Sequence, residues 1–272
     1  MQICSLANTK YEIMIKKIAI FIICLIFSGG VLTAQSVKDA LKKQPKGIVY
    51  DKEASGFLRL HTNGYTIGGT YGKLKTYYKT NYWEFELVHI KHPREYTNRS
   101  QFSSAPGRAG SSFIYGKENS FFGLHGAYGQ KKYFSGKAKK QGVAVGMSYS
   151  VGPSLGIIKP YYLELFTDVA NGQRTATPEK YTEENSSVFL DISRIAGGAG
   201  FGYGFDELSL VPGGHGKVAL HLDWGAYDEY VRAVEVGLML DVYAREVPIM
   251  LTDDNRPYFI NLYFSVALGK RW

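Results

Sequence analysis

Charged and titratable residues recur at every second position in several short segments of this 272-residue chain. Such residues could do chemistry, because His, Asp and Glu can carry a proton or bind a cation. Ten of them alternate with apolar neighbours: Arg59, His61, Glu84, Glu86, His125, Lys217, His221, Asp223, Glu235 and Asp241. Alternation with a period of two is the pattern of a β-strand, so we expect all ten to share one face of a sheet.

The histidines of this set do not form a known catalytic motif. A nucleophilic serine must lie within hydrogen-bond reach of its base, but no spacing places Ser120 or Ser148 beside His125. His89 and His92 could supply two metal ligands, yet no third ligand stands near them in the sequence. We therefore predict no catalytic residue, no cofactor and no bound metal, and we interpret the ten residues as structural.

The elements that position these residues are predicted to be strands. Eight segments alternate between apolar and polar residues, at about 56–62, 65–73, 80–91, 119–130, 141–152, 215–225, 231–243 and 260–272. One face is nearly unbroken and apolar, the other is small or charged, and Tyr and Trp recur near strand ends, which favours a membrane barrel over a soluble sandwich. We predict an all-β, transmembrane, antiparallel up-and-down β-barrel of eight strands, or of ten if 153–165 forms an extra pair.

The lumen of such a barrel accounts for the charged set without catalysis. An eight-stranded barrel is just wide enough inside for its own side chains to fill it. An unpaired charge buried there would cost several kcal/mol, so lumen charges are expected to pair between strands. We predict that the ten residues form a structural network of ion pairs.

The connections between the predicted strands alternate in length. The long ones lie at about 92–118, 153–214 and 244–256. We assign them to the extracellular side, with both chain ends in the periplasm. Pro153 and Pro160 argue against central strand structure, although the chain there could extend the fifth strand past a kink. The hydrophobic residues 249–251 are expected to fold over the barrel mouth or to mark a protein contact.

Two of the short connections have a distinctive composition. Asn63-Gly64 predicts a tight hairpin turn, because both residues tolerate positive φ. A lysine cluster falls in a predicted periplasmic turn, where it is either solvated or in contact with membrane phosphates or an acidic partner. Its members are Lys131, Lys132, Lys137, Lys139 and Lys140.

The first 35 residues have the composition of a secretory signal peptide that is cleaved on export. A basic segment at 14–17 precedes a short apolar run, and small residues at 33–35 stand near the expected cut. We expect translation to begin at Met14. Residues 36–55 are predicted to form a periplasmic arm, and residues 56–272 the barrel.

Removal of this leader changes the composition. Both cysteines, Cys4 and Cys24, would be lost, so the mature chain would offer no disulfide and no thiolate ligand. The formal charge would fall from +8 to +6, because the leader carries three lysines and one glutamate. The remaining basic residues are scattered and no nucleic-acid motif is present, so we expect no nucleic-acid partner. No apolar run of about 18 residues follows, which excludes a helical membrane span there.

The final strand carries a family resemblance. Leu262, Phe264, Val266 and Leu268 fall on one face, and the chain ends on Trp272. A terminal strand closed by an aromatic residue resembles the assembly signal of bacterial outer-membrane barrels. With the leader ending Leu-Thr-Ala-Gln and the eight alternating segments, the chain resembles the small outer-membrane β-barrel proteins of Bacteroidota. The resemblance implies export to a Gram-negative outer membrane, contact with its lipid, and recognition by the barrel-assembly machinery.

Three functions stay open at this point. We favour a non-enzymatic barrel with a structural or interaction role, as an accessory component of an outer-membrane assembly or secretion complex that meets a protein partner at its loops or periplasmic edge. One alternative is a small porin or channel. The other is a lipid- or peptide-modifying enzyme, such as an outer-membrane hydrolase or acyltransferase. Fold alone does not choose between them.

Overall fold

The computed structural model describes residues 50–100, 111–134, 142–168, 174–226, 228–251 and 255–272. The predicted signal peptide and residues 36–49 of the predicted arm lie outside these ranges. The elements are β1 (Lys52–His61), β2 (Gly64–Thr76), β3 (Lys79–Ile90), β4 (Thr97–Arg99), β5 (Ser112–Ile114), β6 (Asn119–Tyr133), β7 (Ala144–Pro160), β8 (Tyr162–Asp168), β9 (Arg174–Lys180), α1 (Ser186–Phe189), a 3-10 helix (Ile192–Arg194), β10 (Ile195–Gly198), β11 (Ser209–Asp223), β12 (Tyr230–Tyr243) and β13 (Tyr258–Arg271).

Eight of these strands close an antiparallel barrel in the order β1-β13-β12-β11-β7-β6-β3-β2. Each barrel strand pairs with the barrel strands before and after it in the chain, and β1 pairs with β13 to complete the ring. The prediction of an up-and-down barrel is therefore confirmed, with eight strands and not ten. Among the described residues, no helix has the length and hydropathy needed to cross a membrane.

Alternation along each strand sends apolar side chains outward and polar side chains into the lumen. On β1, Leu58 and Leu60 are 54% and 58% exposed, whereas Arg59 between them is fully buried. An apolar outer wall around a polar, closed lumen is stable in a bilayer, because closure leaves no unpaired strand edge in the lipid. The barrel is thus a transmembrane barrel.

Aromatic side chains ring this outer wall near both of its ends. We call the side of the barrel where β1 begins and β13 finishes the terminal end. There the rings of Trp83 and Tyr128 lie 5.0 Å apart. At the opposite end, the loop end, His89 lies 5.2 Å from Tyr65 and is stacked 4.9 Å from Phe122. These positions suit the two membrane interfaces. His89 is therefore part of the outer wall.

Several strands are longer than predicted. β1 begins at Lys52, so residues 52–55, predicted to belong to the arm, form part of the barrel. β6 continues to Tyr133, which places Lys131 in a strand and not in the predicted periplasmic turn. Lys132 is exposed on the same strand, and the other three lysines of that cluster lie outside the described residues. The predicted boundaries were too short because alternation marks a face but does not mark where a strand ends.

The connection predicted from residue 153 begins later, and the alternative that the chain there extends the fifth strand is the one that the structure has. β7 runs through Pro153 to Pro160, and β11 pairs with it from Ser209 onward. On its other side, pairing with β6 is interrupted between His125↔Ser154 and Tyr128↔Val151. Pro153 has no N–H to donate, so a gap in the ladder at this position lets the strand continue past it.

The hairpin at residues 62–63 is one residue earlier than predicted. His61 pairs with Gly64, so Thr62 and Asn63 form the turn and Gly64 opens β2. Gly64 has φ +149°, and a Cβ there would overlap the carbonyl oxygen of His89. Only glycine fits this position without strain.

The loop end carries the long connections, 91–118, 161–208 and 244–257. The second forms a small sheet in the order β10-β8-β9, and the first forms the β4–β5 hairpin. Phe113, Leu163, Leu165, Phe189 and Ile195 pack together as one apolar cluster beneath these elements. The described parts of these loops are therefore folded against one another.

An apolar plug closes the loop end of the barrel. Val247, Ile249 and Met250 are buried in a cluster with inward-facing residues of the barrel strands. The backbone N–H groups of Glu118 and Asn119 both donate to the carbonyl oxygen of Ile249. The expectation that residues 249–251 fold over the mouth is met by Ile249 and Met250, while Leu251 is half-buried against the loop cluster.

Candidate functional site

The charged lumen is the candidate site, because it holds most of the titratable groups of the barrel. All ten predicted residues are buried: Arg59, His61, Glu84, Glu86, His125, Lys217, His221, Asp223, Glu235 and Asp241 have between 0% and 9% of their surface exposed. Eight of them make an ion pair or a hydrogen bond to a charged lumen residue, and His125 lies 3.4 Å from both Glu86 and Asp241. The exception is His61, which makes no ion pair with any described residue.

The centre of the lumen is built around Arg59. Its guanidinium donates to Glu86 Oε1 at 2.6 Å and to Glu84 Oε1 at 3.0 Å. Lys217 Nζ donates to the same Glu84 oxygen at 2.5 Å and lies 3.5 Å from Glu235 Oε2. These contacts link β1, β3, β11 and β12 across the barrel. Each buried charge therefore has an opposite charge beside it, which is the condition for burying charge at all.

Towards the loop end lies a cluster of histidine and carboxylate groups. The imidazoles of His125 and His215 are stacked, with ring centroids 4.3 Å apart. Glu86 Oε2 lies 3.4 Å from His125 Nδ1 and 4.0 Å from His215 Nε2. On the other side, Asp241 Oδ1 lies 2.7 Å from His215 Nδ1 and 3.4 Å from His125 Nε2.

Towards the terminal end lies a third cluster, centred on Arg271. This side chain donates to Asp223 Oδ2 at 2.6 Å and to Glu53 Oε2 at 3.1 Å. Lys131 Nζ donates to the other Glu53 oxygen at 2.9 Å. Tyr133 donates to Asp223 Oδ2 at 3.0 Å. The cluster joins the first and last strands of the barrel, so it helps to hold the ring closed.

The charged set predicted from the sequence was incomplete. It left out His215, Glu53, Lys131 and Arg271, all of which are buried in the lumen. His215 stands two residues before Lys217, so the same alternation extended by one step would have included it. Glu53 and Lys131 lie at strand ends that had been assigned to the arm and to a turn. Arg271 stands two residues after the inward-facing Gly269 of the predicted final strand, so the same alternation would have included it.

Neither serine considered from the sequence is hydrogen-bonded to His125 in the part of the chain that is described. Ser120 sits on the outward-facing side of β6, and no hydrogen bond joins Ser148 to His125. A Cβ on Gly123 would lie 2.9 Å from His125 Nε2, so the absence of a side chain at residue 123 leaves space for the imidazole. Two lumen voids near Lys217 and Arg271 measure about 10 Å³ each. Each holds at most about one water.

The predicted assembly-signal residues lie on the outer wall. Leu262, Phe264, Val266 and Leu268 on β13 are 55%, 48%, 43% and 64% exposed, and Trp272 is 50% exposed. The Trp272 ring lies 6.3 Å from that of Tyr71, at the terminal end. This is the lipid-facing side, which leaves their role in assembly as a prediction.

Comparison with known proteins finds similarity to solved structures at 6–7% sequence identity. No protein-family model matches it, and no curated protein does. Similar solved structures include the N-terminal β-barrel domain of Pseudomonas aeruginosa OprF, at 7% identity over 82% of this chain and 98% of that one, with a TM-score of 0.34. Neisserial surface protein A is similar at 6% identity over 82% and 97%, with a TM-score of 0.36. Ail, the attachment invasion locus protein of Yersinia pestis, solved with the heparin analogue sucrose octasulfate, is similar at 7% identity over 82% and 99%, with a TM-score of 0.33.

Proposed function

We propose that this protein is a non-conducting integral barrel of a Gram-negative outer membrane, with a structural or interaction role carried by its loop end. The observation that carries the proposal is the closed lumen. Ion pairs cross it at its centre and at its terminal end, and the apolar plug formed by Val247, Ile249 and Met250 covers its mouth. A barrel of eight strands leaves no aqueous channel once its side chains fill it.

The filled lumen argues against the porin alternative. Moving an ion through it would require breaking pairs such as Arg59–Glu86 and Arg271–Asp223, at a cost of several kcal/mol for each separated charge. The enzyme alternative is disfavoured for a different reason. Within the described residues, no serine lies hydrogen-bonded to a lumen histidine, and a hydrolase of that type needs such a pair.

The loop end is the surface that supports an interaction role. Its described loops are folded on a shared apolar cluster, and the Tyr115 hydroxyl donates to the carbonyl oxygen of Leu190 to tie the first loop to the second. Lys117 Nζ and Glu95 Oε2 form a buried ion pair at 2.8 Å. Burial raises the pKa of Tyr161, whose hydroxyl accepts a hydrogen bond from the Ile114 N–H. A pre-organised surface loses less conformational entropy on binding than mobile loops do.

The loop end also carries exposed apolar side chains. Tyr96 is 72% exposed and Ile192 is 63% exposed, on the first and second loops. Contiguous exposed apolar surface marks protein contacts, whereas single exposed apolar residues are common. These two side chains therefore serve to choose crosslinking positions. The resemblance to small Bacteroidota barrels, some of which accompany assembly or secretion machinery, supports the narrower role of an accessory subunit by association only.

Site-specific photocrosslinking in native membranes tests this role. A photoreactive amino acid replaces Ile192 at the loop end, and the matched control carries it at Leu238, a lipid-facing position that is 51% exposed. We expect a discrete protein adduct from position 192 and none from position 238. Adducts with lipid alone at both positions, in a barrel that remains folded, would contradict an interaction role at the loop end.

A further inference from the structure

Three metal-binding atoms converge in the loop-end half of the lumen. They come from Glu86 on β3, His125 on β6 and His215 on β11. One ligand atom from each residue lies within 4.8 Å of the other two. Glu86 Oε2 is 3.4 Å from His125 Nδ1 and 4.0 Å from His215 Nε2. Two imidazole nitrogens and one carboxylate oxygen form a familiar set of ligands for a divalent transition metal.

These three atoms are buried and have no hydrogen-bond partner. Glu86 Oε2, His125 Nδ1 and His215 Nε2 all lack one among the described residues. The side chains are 1%, 0% and 0% exposed. A buried polar atom without a partner is destabilising, and three of them facing one another are unusual in a folded lumen. A bound cation would satisfy all three at once.

In Glu86 and His215, the other polar atom of the side chain already has a hydrogen-bond partner. Arg59 Nη1 donates to Glu86 Oε1 at 2.6 Å, which leaves Oε2 free. His215 Nδ1 lies 2.7 Å from Asp241 Oδ1, and a carboxylate oxygen can only accept, so Nδ1 carries the proton. In the neutral imidazole the lone pair is then on Nε2. A carboxylate that orients a histidine through its second nitrogen is the usual support of a metal-ligating imidazole.

The charges of the lumen favour a divalent cation. Within the described part of the barrel, the buried cations on the inner wall are Arg59, Lys131, Lys217 and Arg271, and the buried carboxylates are Glu53, Glu84, Glu86, Asp223, Glu235 and Asp241. With every carboxylate ionised and every histidine neutral, six negative charges would stand against four positive ones. One divalent cation would balance the difference, and buried charge is stable only when it is balanced.

We propose that Glu86, His125 and His215 bind a single first-row divalent metal ion, with Zn²⁺ as the ion that this ligand set fits. Zn–N and Zn–O bonds of about 2.0–2.2 Å in a tetrahedron put ligand atoms about 3.3–3.6 Å apart. The 3.4 Å separation already has this value, and the 4.0 Å separation needs a shift of about half an ångström. The two imidazoles, stacked at 24° with centroids 4.3 Å apart, must also rotate so that each ring plane contains the ion. Asp241 orients His215, and water takes the fourth position. The ion would join β3, β6 and β11 and so stiffen the barrel.

The plug implies that the ion enters during folding and exchanges slowly afterwards. The test therefore begins with protein extracted in its folded state from native membranes. Its first-row metal content is measured by inductively coupled plasma mass spectrometry after exhaustive dialysis against EDTA. We expect about one equivalent of metal per barrel. Less than about a tenth of an equivalent in the folded wild-type protein would overturn the proposal.

Variants show whether the metal lies at this site. His125→Gln and His215→Gln should each lower the bound metal at least tenfold, as measured on protein that keeps its heat-modifiable mobility. His221→Gln is the matched control, because His221 lies on the same face of β11 six residues from His215 and pairs with Glu235 instead. Loss of metal to the same extent in His221→Gln would overturn the assignment.

A spectroscopic measurement on the wild-type protein tests the site even if the histidine variants fail to fold. Wild-type protein refolded in the presence of Co²⁺ should show the intense visible d–d absorption of a low-symmetry four-coordinate site with nitrogen ligands. Protein refolded without Co²⁺ and exposed to it afterwards should not show this absorption. A weak spectrum typical of hexaaquo Co²⁺ under both conditions would contradict the proposal.

Discussion

Replacing Arg59 with methionine tests the charge network at its centre. The guanidinium is fully buried, pairs with Glu84 and Glu86, and lies over the rings of Phe57 and Tyr263 at 4.7 and 4.5 Å. Methionine has a similar length and no charge, so the substitution removes the pairing with little change in volume.

The expected loss of unfolding free energy depends on which partners Glu84 and Glu86 retain once Arg59 is replaced. In protein refolded without divalent metal, Glu84 retains Lys217 Nζ at 2.5 Å, whereas Glu86 retains only His125 at 3.4 Å and His215 at 4.0 Å. One carboxylate is therefore left nearly unpaired in the lumen. Removing one partner of a buried pair costs about 3–5 kcal/mol of unfolding free energy. Adding Glu86→Gln removes the unpaired charge, so the double variant should recover about half of that loss.

Urea or guanidinium unfolding of the barrel, refolded into lipid vesicles in the presence of EDTA, measures these values. Fluorescence of Trp83 and Trp224 reports the transition, because both rings are exposed on the outer wall. Arg99→Met, at an exposed loop position, is the matched control and should change the unfolding free energy by less than about 0.5 kcal/mol. A loss of less than about 1 kcal/mol in Arg59→Met, at an unchanged denaturant slope, would refute the reasoning.

Three further predictions concern the plug, the first hairpin and the chain terminus. Ile249→Ala should lower the unfolding free energy by about 2–5 kcal/mol, because it opens a cavity in the plug; a value as small as that of the lipid-facing control Ile67→Ala would count against a packed plug. Gly64→Ala should reduce the yield of heat-modifiable barrel, because a Cβ would meet the His89 carbonyl oxygen, whereas Gly56→Ala, whose Cβ would have its nearest neighbour at 3.9 Å, should fold normally. Trp272→Ala should reduce the fraction of protein inserted in the outer membrane and Trp272→Phe should restore it, as shown by membrane fractionation; equal insertion of both variants would argue against an assembly signal.

The face of each strand could be predicted from the sequence, because side chains alternate with a period of two whatever the partner strand is. Arg59 and Leu60 are assigned to opposite faces by this rule alone, and the structure agrees. Strand ends could not be predicted in the same way. Lys131 and Glu53 are polar residues near turns, and only the length of the neighbouring strands shows that they lie inside the barrel.

The partners of the charged residues could not be predicted either. Lys217 meets Glu84 although 133 positions separate them, and Arg271 meets Glu53 across the seam that closes the ring. These contacts depend on the stagger between strands, which is a property of the closed barrel and not of any one segment. The convergence of His215 with His125 and Glu86 is hidden for the same reason.

Single-channel recording in planar bilayers tests most directly the claim that the lumen is closed. The wild-type barrel, reconstituted and shown to be folded by its heat-modifiable mobility, should give no conductance steps at moderate voltage and molar salt. A variant that lacks both Arg59 and the buried side chain of Ile249 provides a comparison with weakened packing. Reproducible discrete conductance steps from the folded wild-type protein would contradict the closed lumen and support the alternative function of a small porin.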